Sequence, residues 1–163
     1  MIEQEIINDW PGHCFGCSPN NPYGLQLHFW RYEDGCYTKC IIPEHLCGWD
    51  GLVHGGIIAT LLDEIGGWTI ISKIGKIGMT ARSSVSYLKP VPTGQELTIR
   101  GKIIKHRRNL AVIQATIHSD DGELLAECES KWLIPNPAEL KEATGLDKAV
   151  LQDFLEKAST EAT

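Results

Sequence analysis

Apolar and polar positions alternate from Leu25 onward, with Leu25, Leu27 and Phe29 on one side and Gln26, His28 and Trp30 on the other. A period of two predicts a strand, and Asp34-Gly35 predicts a turn into a second run ending at Ile42, so the region reads as a β-hairpin. After loop residues that include Pro43, Gly48, Trp49, Asp50 and Gly51, the spacing becomes helical. Ile58, Leu61, Leu62, Ile65 and Thr69 share one stripe, which predicts a helix of about four turns following His54. Four further strands are predicted over 79–88, 96–105, 110–119 and 124–134, separated by turn-forming clusters of Pro, Gly, Asn and Asp.

The expected order is therefore β-β-α-β-β-β-β. One helix among antiparallel strands predicts an α+β layer fold in which the sheet wraps the helix and buries its apolar stripe. Residues 1–24, rich in Pro, Gly and Asn, are expected to be irregular, with the main domain over 25–135. Residues 136–163 open on Asn136-Pro137 and place Val150, Leu151, Phe154 and Leu155 at helical spacing, so they are expected to form a short C-terminal accessory helix. No internal repeat interrupts this order.

Composition narrows the classes without adding an element. A chain of 163 residues, 42% hydrophobic and 22% charged, is expected to build one ordinary globular core. Its net charge of −6 argues against nucleic acid or an anionic membrane as partner, because both require a basic surplus. The acidic start is followed by no long apolar stretch, so a cytoplasmic location is expected, with the six cysteines as reduced thiols.

Candidate chemistry begins at His54-Gly55-Gly56. Backbone N–H groups at a helix start lack intrahelical partners and face the positive end of the dipole, so Gly55 and Gly56 can hold a developing oxyanion. A tight turn entering the helix accounts for the same residues. Asp63 is surrounded by the small residues Ala59, Thr60, Gly66 and Gly67, which reads as room made for something close by. Its neighbour Glu64 is expected at the surface. The sequence Lys105-His106-Arg107-Arg108 is the densest basic cluster, and Lys105, Arg107 and Arg108 are candidates to meet ligand phosphates; a solvated hairpin tip is the alternative, and Lys89 and Arg82 are weaker candidates. Cys14-x-x-Cys17 invites a metal reading, but no second ligand pair at similar spacing accompanies it, so no metal is expected and the pair reads as reduced loop cysteines. Trp30, Trp49 and Trp68 could line an apolar pocket or simply fill the core.

His54-Gly55-Gly56 with Asp63 nine positions on, together with Cys14-Phe15-Gly16-Cys17, Asn21-Pro22-Tyr23-Gly24-Leu25 and the stretch from Met79-Thr80-Ala81 to Tyr87-Leu88-Lys89-Pro90, resembles the hotdog-fold acyl-CoA thioesterases of the phenylacetate-pathway and 4-hydroxybenzoyl-CoA superfamily. The resemblance runs from about Cys14 to Pro135. It implies the hotdog fold and hydrolysis of an acyl- or aryl-CoA thioester without a cofactor. Asp63 would be the general base or nucleophile, Gly55 the oxyanion donor, His54 the group orienting loop and carbonyl, and Thr80 a hydroxyl that positions water or the carboxylate. A histidine in the cap region and a buried strand threonine are the bland alternatives. Nine helical residues separate His54 and Asp63 by ~13.5 Å and half a turn. One thioester could therefore meet both only across two copies, and the resemblance implies such a homodimer or homotetramer. A non-catalytic acyl-CoA-binding module is the rival reading, and a hotdog dehydratase a weaker one. One departure stands out: some relatives carry Asn or Gln where this chain has Gly48.

Overall fold

The computed structural model describes residues 4–159. Its elements are β1 (Trp30–Tyr32), β2 (Gly35–Ile41), a short ribbon of β3 (Cys47–Trp49) and β4 (Leu52–Val53), α1 (Gly55–Ile74), β5 (Met79–Tyr87), β6 (Glu96–Arg107), β7 (Leu110–Ser119), β8 (Leu124–Leu133), α2 (Pro137–Thr144) and α3 (Lys148–Ser159). Six strands form one antiparallel sheet in the order β1-β2-β6-β7-β8-β5, and α1 packs on one face of it. This is the α+β hotdog arrangement that the pattern and the resemblance predict.

Period-two burial drives the packing. Ala111, Ile113, Ala115 and Ile117 of β7, with Leu97 and Ile99 of β6, are fully buried toward the helix. Leu97, Ile99, Ala115 and Ile117 share one cluster with Ile58, Leu61, Leu62 and Ile65 of α1, while Ala111 and Ile113 cluster with Ile70 further along it. At Gly101 of β6 the helix comes so near that a Cβ would lie 2.3 Å from Thr69 Oγ1 and 3.0 Å from the Ile65 carbonyl oxygen. Only glycine admits that approach.

Three expectations on elements need correction. The helix has 20 residues rather than about four turns, because buried Ile70 and Ser72 extend the stripe until Gly75 stops it at φ 67°. Leu27 and Phe29 are buried as their alternation predicts, but the strand proper starts only at Trp30. Gln26 has φ 48°, and the backbone of Leu25, Leu27 and Phe29 bonds to Phe15, Gly16 and Ile6 of the N-terminal segment instead of to a strand. The expected single accessory helix is two, divided at Gly145 in the left-handed conformation.

The small-residue stretch of α1 has a definite occupant. Trp132 of β8, held by an Nε1–H bond to Ser130 Oγ at 2.7 Å, lies against Gly66, where a Cβ would stand 2.7 Å from its Cζ2. Replacing Gly66 with Ala gains about 1 kcal/mol of helix propensity but overpacks a pinned indole by about 1–3 kcal/mol. The expected outcome is a net loss of up to about 2 kcal/mol, read as a lower urea midpoint; a raised midpoint would refute the tight contact.

Candidate active site

The N-terminus of α1 is capped by His54, whose Nδ1 accepts from the Gly56 N–H at 2.9 Å. That bond leaves the ring proton on Nε2 and engages the Gly56 amide. Among the described residues nothing accepts from the Gly55 N–H, so Gly55 rather than Gly56 keeps a free first-turn donor. Gly48 of β3 packs against the histidine, where a Cβ would lie 3.3 Å from His54 Cα. A Cβ there would require His54 to give by a few tenths of an ångström. The Tyr87 hydroxyl donates to the Gly55 carbonyl at 3.2 Å, tying the end of β5 to the start of α1.

Two turns further along α1, Asp63 Oδ1 accepts from Thr80 Oγ1 at 2.7 Å. Thr80 is exposed rather than buried in the sheet, so its hydroxyl is available to the carboxylate. Both residues line a cavity of about 300 Å³ whose apolar walls are Trp10, Trp68, Trp132 and Phe154. Of the tryptophans expected to line a pocket, Trp68 does so. Trp49 is 81% exposed, and Trp30 stacks on Tyr37 in the hairpin. Trp10, Trp132 and Phe154 come from three distant segments, and nothing in their local sequence marked them as one wall.

Glu64 corrects the expectation of a surface carboxylate. It is half-buried beside the Cys14-to-Cys17 turn, with Oε1 3.2 Å from Cys14 Sγ. Desolvation, helped by repulsion from Cys14, pushes its carboxyl up to about 8. The Cys17 thiol, hydrogen-bonded to the Cys14 sulfur, holds Cys14 down to about 5 against the opposing effect of burial, while the same bond and burial raise Cys17.

The basic cluster lies elsewhere. Lys105 and Arg107 close β6, and Arg108 turns the chain at φ 55°. Cross-strand register sets Thr80 opposite Trp132, Trp132 opposite Ala111 and Ala111 opposite His106. The cluster is thus at the same end of the sheet as Thr80, three strand spacings or ~14 Å away. Arg108 lines a separate cavity of about 820 Å³ under α2 and α3; Lys105, Arg107 and Arg108 do not line the Asp63 cavity. Lys89 is paired with Glu123. No described helix is long and apolar enough to cross a membrane.

Residues 50–126 match the thioesterase superfamily. Acyl-coenzyme A thioesterase THEM4 of Mus musculus is 35% identical over 81 residues, which are 50% of this chain and 34% of that protein. Acyl-coenzyme A thioesterase 13 of Mus musculus is 29% identical over 79 residues, 47% of this chain and 56% of that protein. The crystal structure of a thioesterase superfamily protein superimposes with a TM-score of 0.66 at 27% identity, covering 72% of this chain and 57% of that one. The chain thus spans between about a third and three fifths of the length of these three proteins.

Proposed function

Because this chain carries a thioesterase-superfamily domain with the hotdog fold, we propose that it hydrolyses an acyl- or aryl-CoA thioester to the carboxylate and free CoA, at a site shared between two copies. The observation that carries this reading is the Asp63 carboxylate held by Thr80 in the lining of a largely apolar cavity. Asp63 either takes a proton from water or attacks the thioester carbonyl itself, and the Gly55 N–H with the helix dipole behind it stabilises the oxyanion that forms. The thiolate of CoA leaves, and water supplies the carboxylate oxygen. Lys105, Arg107 and Arg108 would meet the phosphates of CoA, with Gly56 lining the path.

The two halves of this machinery sit at opposite ends of β5. Thr80 and Tyr87 are seven residues apart, about 23 Å along an extended strand. β5 is also the last strand of the sheet, and it and the residue after it leave Met79, Tyr87 and Leu88 41%, 55% and 49% exposed. An unpaired edge of this kind favours addition of a further strand. Antiparallel pairing with a second copy about the middle of β5 would bring Tyr87 and Gly55 of one copy to Thr80 and Asp63 of the other.

Two experiments test the proposal. Turnover of a panel of acyl- and aryl-CoA thioesters, read as thiol release, is expected to find at least one substrate; tight binding with no turnover would favour a binding module. Mixing inactive Asp63→Asn and Gly55→Pro chains through unfolding and refolding is then expected to restore about a quarter of parental activity, since half of the dimers are hybrid and each holds one intact site. No recovery from a refolded mixture would refute the shared site. Thr80→Ala removes one hydrogen bond to a charged group, worth about 1.5–3 kcal/mol, so kcat is expected to fall about 10- to 100-fold with KM little changed, and Thr80→Ser to recover most of it.

A further inference from the structure

The cavity at Asp63 has an unusual polar lining for its size. Two carboxylates, Asp63 and Glu64, and two thiols, Cys14 and Cys17, face it, and no Lys, Arg or His is among the described residues that line it. The Cys14 and Cys17 sulfurs and a Glu64 oxygen all lie within 4.8 Å of one another. Tetrahedral coordination by a thiolate-preferring divalent ion sets donors about 3.5–3.8 Å apart, so small side-chain adjustments close the set.

The surrounding loop is held in place before any ligand arrives. Ser18 Oγ, fully buried, donates to the Gly12 carbonyl at 2.6 Å and accepts from the Asn20 N–H at 3.1 Å. Asn8 Nδ2 donates to the Cys17 carbonyl at 2.8 Å, and the Phe15 and Gly16 carbonyls accept from Leu25 and Leu27. Gly16 has its own reason to be glycine: a Cβ would lie 2.3 Å from the Glu64 carboxyl carbon. The turn is thus shaped to let that carboxylate reach the two sulfurs.

We propose that Cys14, Cys17 and Glu64 form a binding site for Zn²⁺ or a similarly thiophilic divalent cation, with the fourth coordination position open to the cavity that Asp63 and Thr80 share. Two sulfurs and one oxygen select zinc over magnesium or calcium, which take oxygen ligands alone. An open fourth position is what distinguishes a reactive or regulatory zinc from a closed structural one. The ion would join the N-terminal segment to α1 at a cavity that Thr80 also lines.

The test uses the intact chain and does not depend on thioester turnover, so it stands or falls separately from the catalytic proposal. Protein purified without added metal is analysed for zinc, stripped with a chelator and titrated with Co²⁺. One metal per chain and an intense sulfur-to-cobalt charge-transfer band are expected. The band should fall by about half in Cys17→Ser and remain unchanged in Cys47→Ser, a cysteine outside the cluster. Zn²⁺ competition against a chromophoric chelator should show Glu64→Gln weakening Kd at least about 100-fold, since loss even of an outer-shell partner typically weakens binding 10- to 100-fold. Glu64→Gln preserves shape, so it carries the comparison if Cys17→Ser does not fold. Absence of zinc together with no charge-transfer band on Co²⁺ addition overturns the proposal, as does a band undiminished in a folded Cys17→Ser or a Zn²⁺ Kd unchanged in Glu64→Gln.

Discussion

Asp63→Asn is expected to lower kcat/KM for the best CoA thioester by about 10³-fold while leaving the fold and assembly intact. The asparagine carbonyl oxygen can still accept the Thr80 hydroxyl that Asp63 Oδ1 accepts at 2.7 Å, and the position is only half-buried, so no cavity or orphaned donor results. What disappears is the basic, nucleophilic oxygen. The loss should therefore appear in kcat with an almost unaltered KM, since the apolar cavity walls of Trp68, Trp132 and Phe154 are untouched. Circular dichroism and size-exclusion profiles matching the parent, combined with steady-state kinetics, make the comparison clean. Retention of activity within tenfold would remove Asp63 from the mechanism.

Phe154→Ala is expected to destabilise the protein by about 3–5 kcal/mol, a fall in Tm on the order of 10 °C. Phe154 is 2% exposed, with its ring edge-on to Trp10 at 5.0 Å and to Trp68 at 6.0 Å. It thereby joins α3, the N-terminal segment and α1 in one cluster. Arg31 reinforces the same junction by donating to the carbonyls of Ser72 at 3.0 Å and Ala158 at 2.7 Å. Because Phe154 also walls the Asp63 cavity, the variant should accept bulkier acyl groups relative to small ones. Thermal unfolding followed calorimetrically checks the first effect. A shift below 1–2 °C would mean that α3 is a detachable appendage, and the cavity wall would have to lie elsewhere.

Much of the fold was legible because local periodicity and burial coincide in it. β5 to β8 depart from their expected limits by no more than two residues at either end, since alternating residues there meet one continuous apolar face. Where the reading went astray, a nonlocal partner was responsible. Leu25, Leu27 and Phe29 alternate as a strand does, but their backbone groups are claimed by Phe15, Gly16 and Ile6, which no periodicity reveals. Glu64, one position beyond Asp63, reads in sequence as the surface residue of the two. The turn at Gly16 buries it and leaves the neighbouring carboxylate free for Thr80. The tryptophan wall was hidden for the same reason, being contributed by residues 10, 68 and 132.

The sequence by itself determined the order of α1 and the six strands of the main sheet, the helix start at His54, the stripe that buries α1 and the residue types at the candidate site, because each depends on neighbours within a few positions. Tertiary structure alone decided which of those residues meet. It joined Asp63 to Thr80 across 17 positions and Cys14 to Glu64 across 50, closed the cavity with Phe154, and left β5 as the unpaired edge. Those encounters follow from the packing of α1 on the sheet and of both termini on α1. Contacts between residues far apart in sequence are set by the shape of the whole core, which no short window of sequence contains.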